Sequence, residues 1–156
     1  MRFPPSFPDL SILVVDRSAN IRRIMIEILS QVNLRRVFEA SDAVSATALF
    51  FDKQPNIVFL DWELPKSGAI NCLTSVRSSK SWIVGRAPVI VMMERPTLGL
   101  VLKAEQSGAS EILAKPFSPK TVWQHLFGVI NIPRKYQNNN GMQMPTARVV
   151  KSNEFA

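Results

Sequence analysis

One cysteine, Cys72, and one histidine, His125, are all that the 156 residues contain of either type. An intrachain disulfide is therefore excluded, and a Cys/His metal site cannot be assembled. Cys72 reads as a small apolar residue on a helix, and His125 as a polar-side residue of the last helix. Neither has the partners that nucleophilic catalysis needs. Long hydrophobic runs are missing as well. The longest uninterrupted stretches, such as Val89 to Met93, fall far short of the roughly 18 residues of a membrane span. Prolines at 4, 5 and 8 follow Arg2, so no secretory apolar region forms before Asp9. The expected location is the cytoplasm. There is no GxGxxG after the first strand, no Walker A lysine motif and no GxSxG elbow, which argues against a dinucleotide-binding domain, an NTPase or a small hydrolase.

What is present suits one soluble globular domain: 46% apolar residues in a chain long enough to bury a core without staples. The formal charge is +7, so an acidic partner is conceivable. From 131 onward, four basic residues (Arg134, Lys135, Arg148, Lys151) against one acid (Glu154) carry +3 of that total. No basic run has the length of a nucleic-acid arm and no recognition helix is evident, so nucleic acid is not an expected partner.

Short apolar runs alternate with helical periodicity. Strands are expected at Ser11–Val15, Arg36–Ala40, Asn56–Leu60, Val89–Met93 and Glu111–Ala114. Between them, Ile21, Ile24, Met25, Ile28 and Leu29 recur at helical spacing after Asn20 as N-cap, and Ser41 or Asp42 caps a helix that Pro55 ends. A weaker helix covers 69–80, residues 82–86 read as a loop, and a fourth helix starts near Pro96 and stops at Gly108. The last helix, 121–130, has Trp123, Leu126, Phe127 and Ile130 on its inner face. Five strands alternating with five helices imply an α/β, doubly wound parallel sheet covered on both faces. The division is an N-terminal extension (1–9), one domain (10–130), and a basic, Asn/Gln/Pro-containing C-terminal tail (131–156) expected to be mostly disordered.

In such sheets, ligands bind beyond the carboxyl ends of the strands. Asp16 and Arg17 follow strand 1, and Asp61, Trp62 and Glu63 follow strand 3. Met93 and Glu94 close strand 4, and Lys115-Pro116 follows strand 5. A carboxylate can attack phosphorus to form an acyl phosphate. The incoming oxygens are negative, so a cation must sit beside them. Lys115 can supply one as a point charge, and Mg²⁺, which prefers carboxylate and water oxygens, can supply another.

The motifs ILVVD ending at Asp16, SANIRRIM, FLDWELPKSG around Asp61, PVIVM and SGASEILAKPF through Lys115 make residues 10 to 130 resemble the CheY-like receiver domain of two-component response regulators. The resemblance implies the flavodoxin-like strand order 2-1-3-4-5. It implies Asp61 as phosphoacceptor, Lys115 as phosphoryl contact and Asp16 as a holder of Mg²⁺, largely through water; with Arg17 in place of the second acid, Asp16, Asp61 and Glu63 are expected to hold Mg²⁺ weakly or not at all. It also implies a cis Lys115–Pro116 bond. Three positions depart from the family pattern. Arg17 stands where a second acid binds the metal, Met93 where a Thr or Ser hydroxyl meets the phosphoryl group, and Ile112 where a switching Tyr or Phe is common. Trp62, beside the acceptor, is a natural fluorescence reporter.

Two functions follow from the resemblance. In the first, a sensor histidine kinase or phosphotransfer protein phosphorylates Asp61, and a face built from the fourth helix, fifth strand and fifth helix changes its affinity for a protein target. No turnover enzyme is expected beyond autophosphorylation and autodephosphorylation. In the second, an atypical module signals without phosphate, with the Arg17 guanidinium in the metal site and paired with Asp61.

Overall fold

Strand segments rich in Val, Ile and Leu bury both faces, as a parallel sheet requires when helices cover it on two sides. In the computed structural model, which describes residues 9–132 and 134–146, β1 (Ser11–Val15), β3 (Ile57–Asp61) and β4 (Val89–Met93) are buried at every position. β2 (Arg36–Ala40) and β5 (Glu111–Ala114) form the more exposed edges. The five strands are all parallel, in the order β2-β1-β3-β4-β5, as the resemblance implies.

Side chains alternate across the sheet with period two, which yields two cores. Leu13, Val15, Val58, Leu60, Val91 and Met93 pack on one face against α2 (Ala43–Lys53), α3 (Gly68–Arg77), the four-residue α4 (Trp82–Gly85) and α5 (Leu98–Gln106). Ile12, Val14, Ile57, Phe59, Ile90 and Met92 pack on the other against α1 (Ala19–Ser30) and α6 (Pro119–Asn131). Cys72 lies in the first core, and burial raises its thiol pKa. Among the described residues no helix is long and apolar enough to cross a membrane.

Local chemistry explains the helix ends. Ser18, rather than Asn20, caps α1 by accepting from the Ile21 amide. Its hydroxyl stands one residue before the first helical position, the N-cap geometry. Asp42, Thr97 and Ser118 cap α2, α5 and α6 in the same way. Gly108, at φ +111°, ends the segment after α5 in a conformation that L side chains rarely adopt. Residues 82–86, expected as loop, instead begin with the helical turn α4, capped by Ser81. Among the described residues the sheet is thus accompanied by six α-helices and a 3-10 turn at Pro65–Ser67, and the helix counted fourth in the sequence is α5 here.

The region after α6 also differs from expectation. Tyr136–Asn139 and Met142–Pro145 form an antiparallel hairpin, β6–β7, turned at Asn140-Gly141. Asn-Gly is the dipeptide that a two-residue hairpin favours. Composition alone had pointed to irregular chain, because one turn signal between polar strands leaves little hydrophobic pattern. Residues 1–8 and 147–156, which hold most of the N-terminal extension and the end of the tail, lie outside the described residues.

Arg77 connects these pieces. It is fully buried, and its guanidinium donates to the carbonyls of Gly108 (2.9 Å), Gly85 (3.1 Å) and Ala87 (2.7 Å) and to the Ser110 hydroxyl (3.4 Å). The ring of Tyr136 lies 5.4 Å from it. One side chain thereby ties α3, α4, the approach to β4, the approach to β5 and the hairpin.

Candidate functional site

The carboxyl ends of β1, β3, β4 and β5 open into a cleft of about 510 Å³ lined by Asp16, Arg17, Ser18, Ile21, Asp61, Glu63, Glu94, Lys115 and Pro116. Each side chain is positioned by the strand that ends beneath it. The Asp16 amide extends the β1–β2 ladder by donating to Ala40, and its Oδ1 accepts from the Ser18 amide at 2.8 Å. The same residue therefore continues a strand and braces the cap of α1. Asp61 is the last residue of β3, and its Oδ1 accepts from the Glu63 amide at 3.1 Å. Lys115 follows β5, its amide donating to the Met93 carbonyl at 2.7 Å. The Lys115–Pro116 bond is cis.

These backbones bring three charges together. Lys115 Nζ donates to Asp16 Oδ2 at 2.6 Å and to Asp61 Oδ1 at 3.2 Å. Both carboxylates are nearly inaccessible, at 2% and 5% exposure. Burial alone would lower the lysine pKa. The hydrogen bond to Asp16 and the charges of Asp61 and Asp16 outweigh it, and the pKa is raised. Glu63 stands at the rim, its Oε1 accepting from the Glu94 amide at 3.0 Å and so fastening the loop after β3 to the loop after β4. Partial burial of its carboxyl, then the hydrogen bond and negative charge of Asp61, raise its pKa.

Arg17 is exposed on the wall of the cleft, and among the described residues no ion pair joins it to Asp61. The inward pairing of the second reading is not formed. A guanidinium is favoured in water, and Lys115 already provides the cation that touches Asp61. Arg22 is a residue that sequence reasoning missed. Its Nη1 donates to the Asp16 carbonyl at 2.7 Å and its Nε to Glu39 at 3.0 Å, so it braces the loop that carries Asp16. Its only sequence signal is a cation one turn into a helix that starts after an acidic strand end.

Carboxylate oxygens are the right donor chemistry for Mg²⁺. Among the described residues, no group of three or more His, Cys, Asp or Glu side chains is placed to hold a metal ion. Asp16 and Asp61 would supply the one or two carboxylates that Mg²⁺ usually takes alongside water, and here the Lys115 ammonium lies between them and bridges them.

Met93, Ile112 and Trp62 belong to the hydrophobic packing. Met93 is fully buried in the core under the cleft. Ile112 and Trp62 are half-buried against that same core. His125 lies on α6 with Nδ1 3.9 Å from Glu111 Oε2 of β5, well away from the cleft.

A family profile described as the response regulator receiver domain matches residues 12–127. A protein named "Probable chemotaxis protein CheY" from Rhizobium etli is 26% identical over 124 residues, covering 78% of this chain and 95% of that protein. The chemotaxis protein CheY1 of Helicobacter pylori is 27% identical over 118 residues, covering 75% and 94%. Among solved structures, the chemotaxis response regulator CheY4 of Vibrio cholerae superposes with a TM-score of 0.70 at 22% identity, covering 77% of this chain and 98% of that one. At that identity the likeness is one of fold.

Proposed function

From the premise that the chain belongs to the response regulator receiver family, with a receiver domain's general part in signalling, we propose that Asp61 accepts a phosphoryl group and that the protein signals through protein contacts. The observation that carries this reading is the Lys115 ammonium held between Asp16 and Asp61 at the mouth of the sheet. A carboxylate oxygen of Asp61 forms a bond to phosphorus while the bond from phosphorus to the donor's leaving atom breaks. The leaving atom, an imidazole nitrogen of a phosphohistidine or an acetate oxygen of acetyl phosphate, keeps the electron pair. Lys115 stays in contact with the transferred group and offsets its added charge. Asp16 holds Lys115 in place. Arg17, exposed on the cleft wall, supplies a second cation to the approaching phosphodonor and draws it by long-range attraction.

The phosphodonor is a sensor histidine kinase or phosphotransfer protein. The output surface is the face of α5, β5 and α6, where Leu98 is 77% exposed and Leu100 and Leu102 are also exposed. A rearrangement that follows phosphorylation does not use a hydroxyl at the end of β4 or a swinging ring on β5. Met93 and Ile112 occupy those places and are packed into the core. That packing also favours a second reading, in which the output face is constitutively presented and phosphate does not control it.

Trp62, adjacent to Asp61 and half-buried, reports on the first reading. Adding acetyl phosphate should change its fluorescence in the native protein and leave Asp61→Ala and Trp62→Phe unchanged. An equal change in Asp61→Ala would refute the assignment of Asp61.

A further inference from the structure

The amino ends of the strands carry a second cleft, about 660 Å³, lined in part by Trp82, Ile83, Arg86, Arg134, Lys135 and Tyr136. It lies on the opposite end of β3 from Asp61, about 16 Å away at roughly 3.3 Å per strand residue. Trp82 and Ile83 are adjacent on α4 and exposed at 67% and 61%, a large apolar surface left open on a short helix. The Arg86 guanidinium sits 4.2 Å from the Trp82 ring centroid and is anchored by Gln143 of β7, to which its Nε donates at 3.2 Å. The Tyr136 ring closes the other side, within 6.0 Å of Arg86. The hairpin is therefore part of the wall, and the cleft exists because the chain continues past α6.

Among the described residues, three that line the cleft are cationic and none is acidic. Trp, Tyr and Arg are the residue types that dominate binding energy at protein interfaces, where the aromatic bodies give area and the guanidinium gives direction. A nucleotide base fits less well, because the lining offers few groups to read a base edge. The Asn56 side-chain Oδ1 already accepts from the Ser11 amide and hydroxyl. Pro55, Ile83, Ala87 and Pro88 present apolar surface instead.

We propose that this cleft is a docking site for an acidic protein segment carrying an apolar anchor, with Trp82 and Ile83 receiving the anchor and Arg86 and Lys135 meeting the carboxylates. The site is independent of Asp61 and acts whether or not that residue is phosphorylated.

The test uses the full chain and fluorescein-labelled short peptides with Leu and Phe anchors, flanked in one by Asp and Glu and in the other by Lys. The acidic peptide should bind, more weakly as salt rises. Trp82→Ala and the double variant Arg86→Glu/Lys135→Glu should each weaken it by at least about tenfold, with thermal melting confirming that both remain folded. The lysine peptide should bind the charge-reversed variant better than the native protein. Asp61→Ala should bind like the native protein, which separates this site from the phosphoacceptor. Equal binding of both peptides, binding of neither, or loss in Asp61→Ala would overturn the proposal. Two other results would overturn it as well. One is a single-stranded oligoribonucleotide that binds where the acidic peptide does not. The other is a concentration-dependent dimer, lost in Arg86→Glu, that binds no peptide.

Discussion

Replacing Arg77 with Met should destabilise the domain by about 3–5 kcal/mol. The guanidinium is fully buried and donates to three backbone carbonyls and one hydroxyl. Methionine fills similar space but donates nothing. The carbonyls of Gly85, Ala87 and Gly108 cannot be removed with it, and a buried acceptor left without a donor costs about 1–3 kcal/mol. Three such losses sum to about 3–9 kcal/mol. Against this stands the desolvation of a buried guanidinium, which lowers its own pKa and which the substitution relieves. Water entering from the hairpin side recovers part of the rest, which places the net toward the lower end. Urea denaturation measures it. At an m-value of about 2 kcal/mol/M, the midpoint should fall by roughly 2 M. Arg77→Lys should fall between the two, because one ammonium cannot reach acceptors spread around a planar fork. A loss below about 1 kcal/mol in Arg77→Met, with m unchanged, would refute the view that Arg77 joins these segments.

Gly108→Ala should cost more than about 1 kcal/mol, since its φ is +111° and a Cβ there would stand 2.8 Å from Arg77 Cγ; the cost should shrink in the Arg77→Met background, read by a double-mutant cycle. Lys115→Met leaves Asp16 and Asp61 buried without their cation and should lose about 3–5 kcal/mol near neutral pH. The raised Lys115 pKa sets an alkaline limb: its stabilisation is complete below the ordinary lysine value of about 10.4 and is lost as pH rises through the folded value, so Lys115→Met should lack that limb in pH-dependent melting. Glu63, whose pKa is also raised, favours the folded state below the ordinary glutamate value of about 4.3 and loses that contribution as pH rises. Glu63→Gln, which can keep the bond from the Glu94 amide, should therefore melt higher than the native protein at pH 7, with the difference fading in acid.

The sheet was legible because its signal is redundant. Five short, largely apolar runs, each followed by a helical face, leave few alternatives, and Asp16, Asp61 and Lys115 fall at strand ends in any of them. The convergence of those three, read from sequence as a pattern, is a geometric fact in the structure. Arg17 was less legible. A cation after a strand can pair inward or hydrate outward, and the choice depends on the Lys115 ammonium about 100 residues later in the chain. The hairpin was misread because Gln137, Asn138, Asn139 and Gln143 carry no hydrophobic period. What holds it is contact made through Tyr136 and Gln143 with Arg77 and Arg86, which only the tertiary structure brings near. Arg77 falls near the end of the 69–80 helix, and nothing local in the sequence announces that it turns into the core.

The phosphoacceptor assignment is tested most directly by intact-protein mass spectrometry after incubation with acetyl phosphate, with and without Mg²⁺, on the native chain, Asp61→Ala and Arg17→Asp. A phosphoryl mass increment in the native protein that is absent in Asp61→Ala is the predicted result, with Arg17→Asp gaining a stronger dependence on Mg²⁺. No increment in the native protein under either condition would contradict the account and leave the constitutive binding module as the reading that stands.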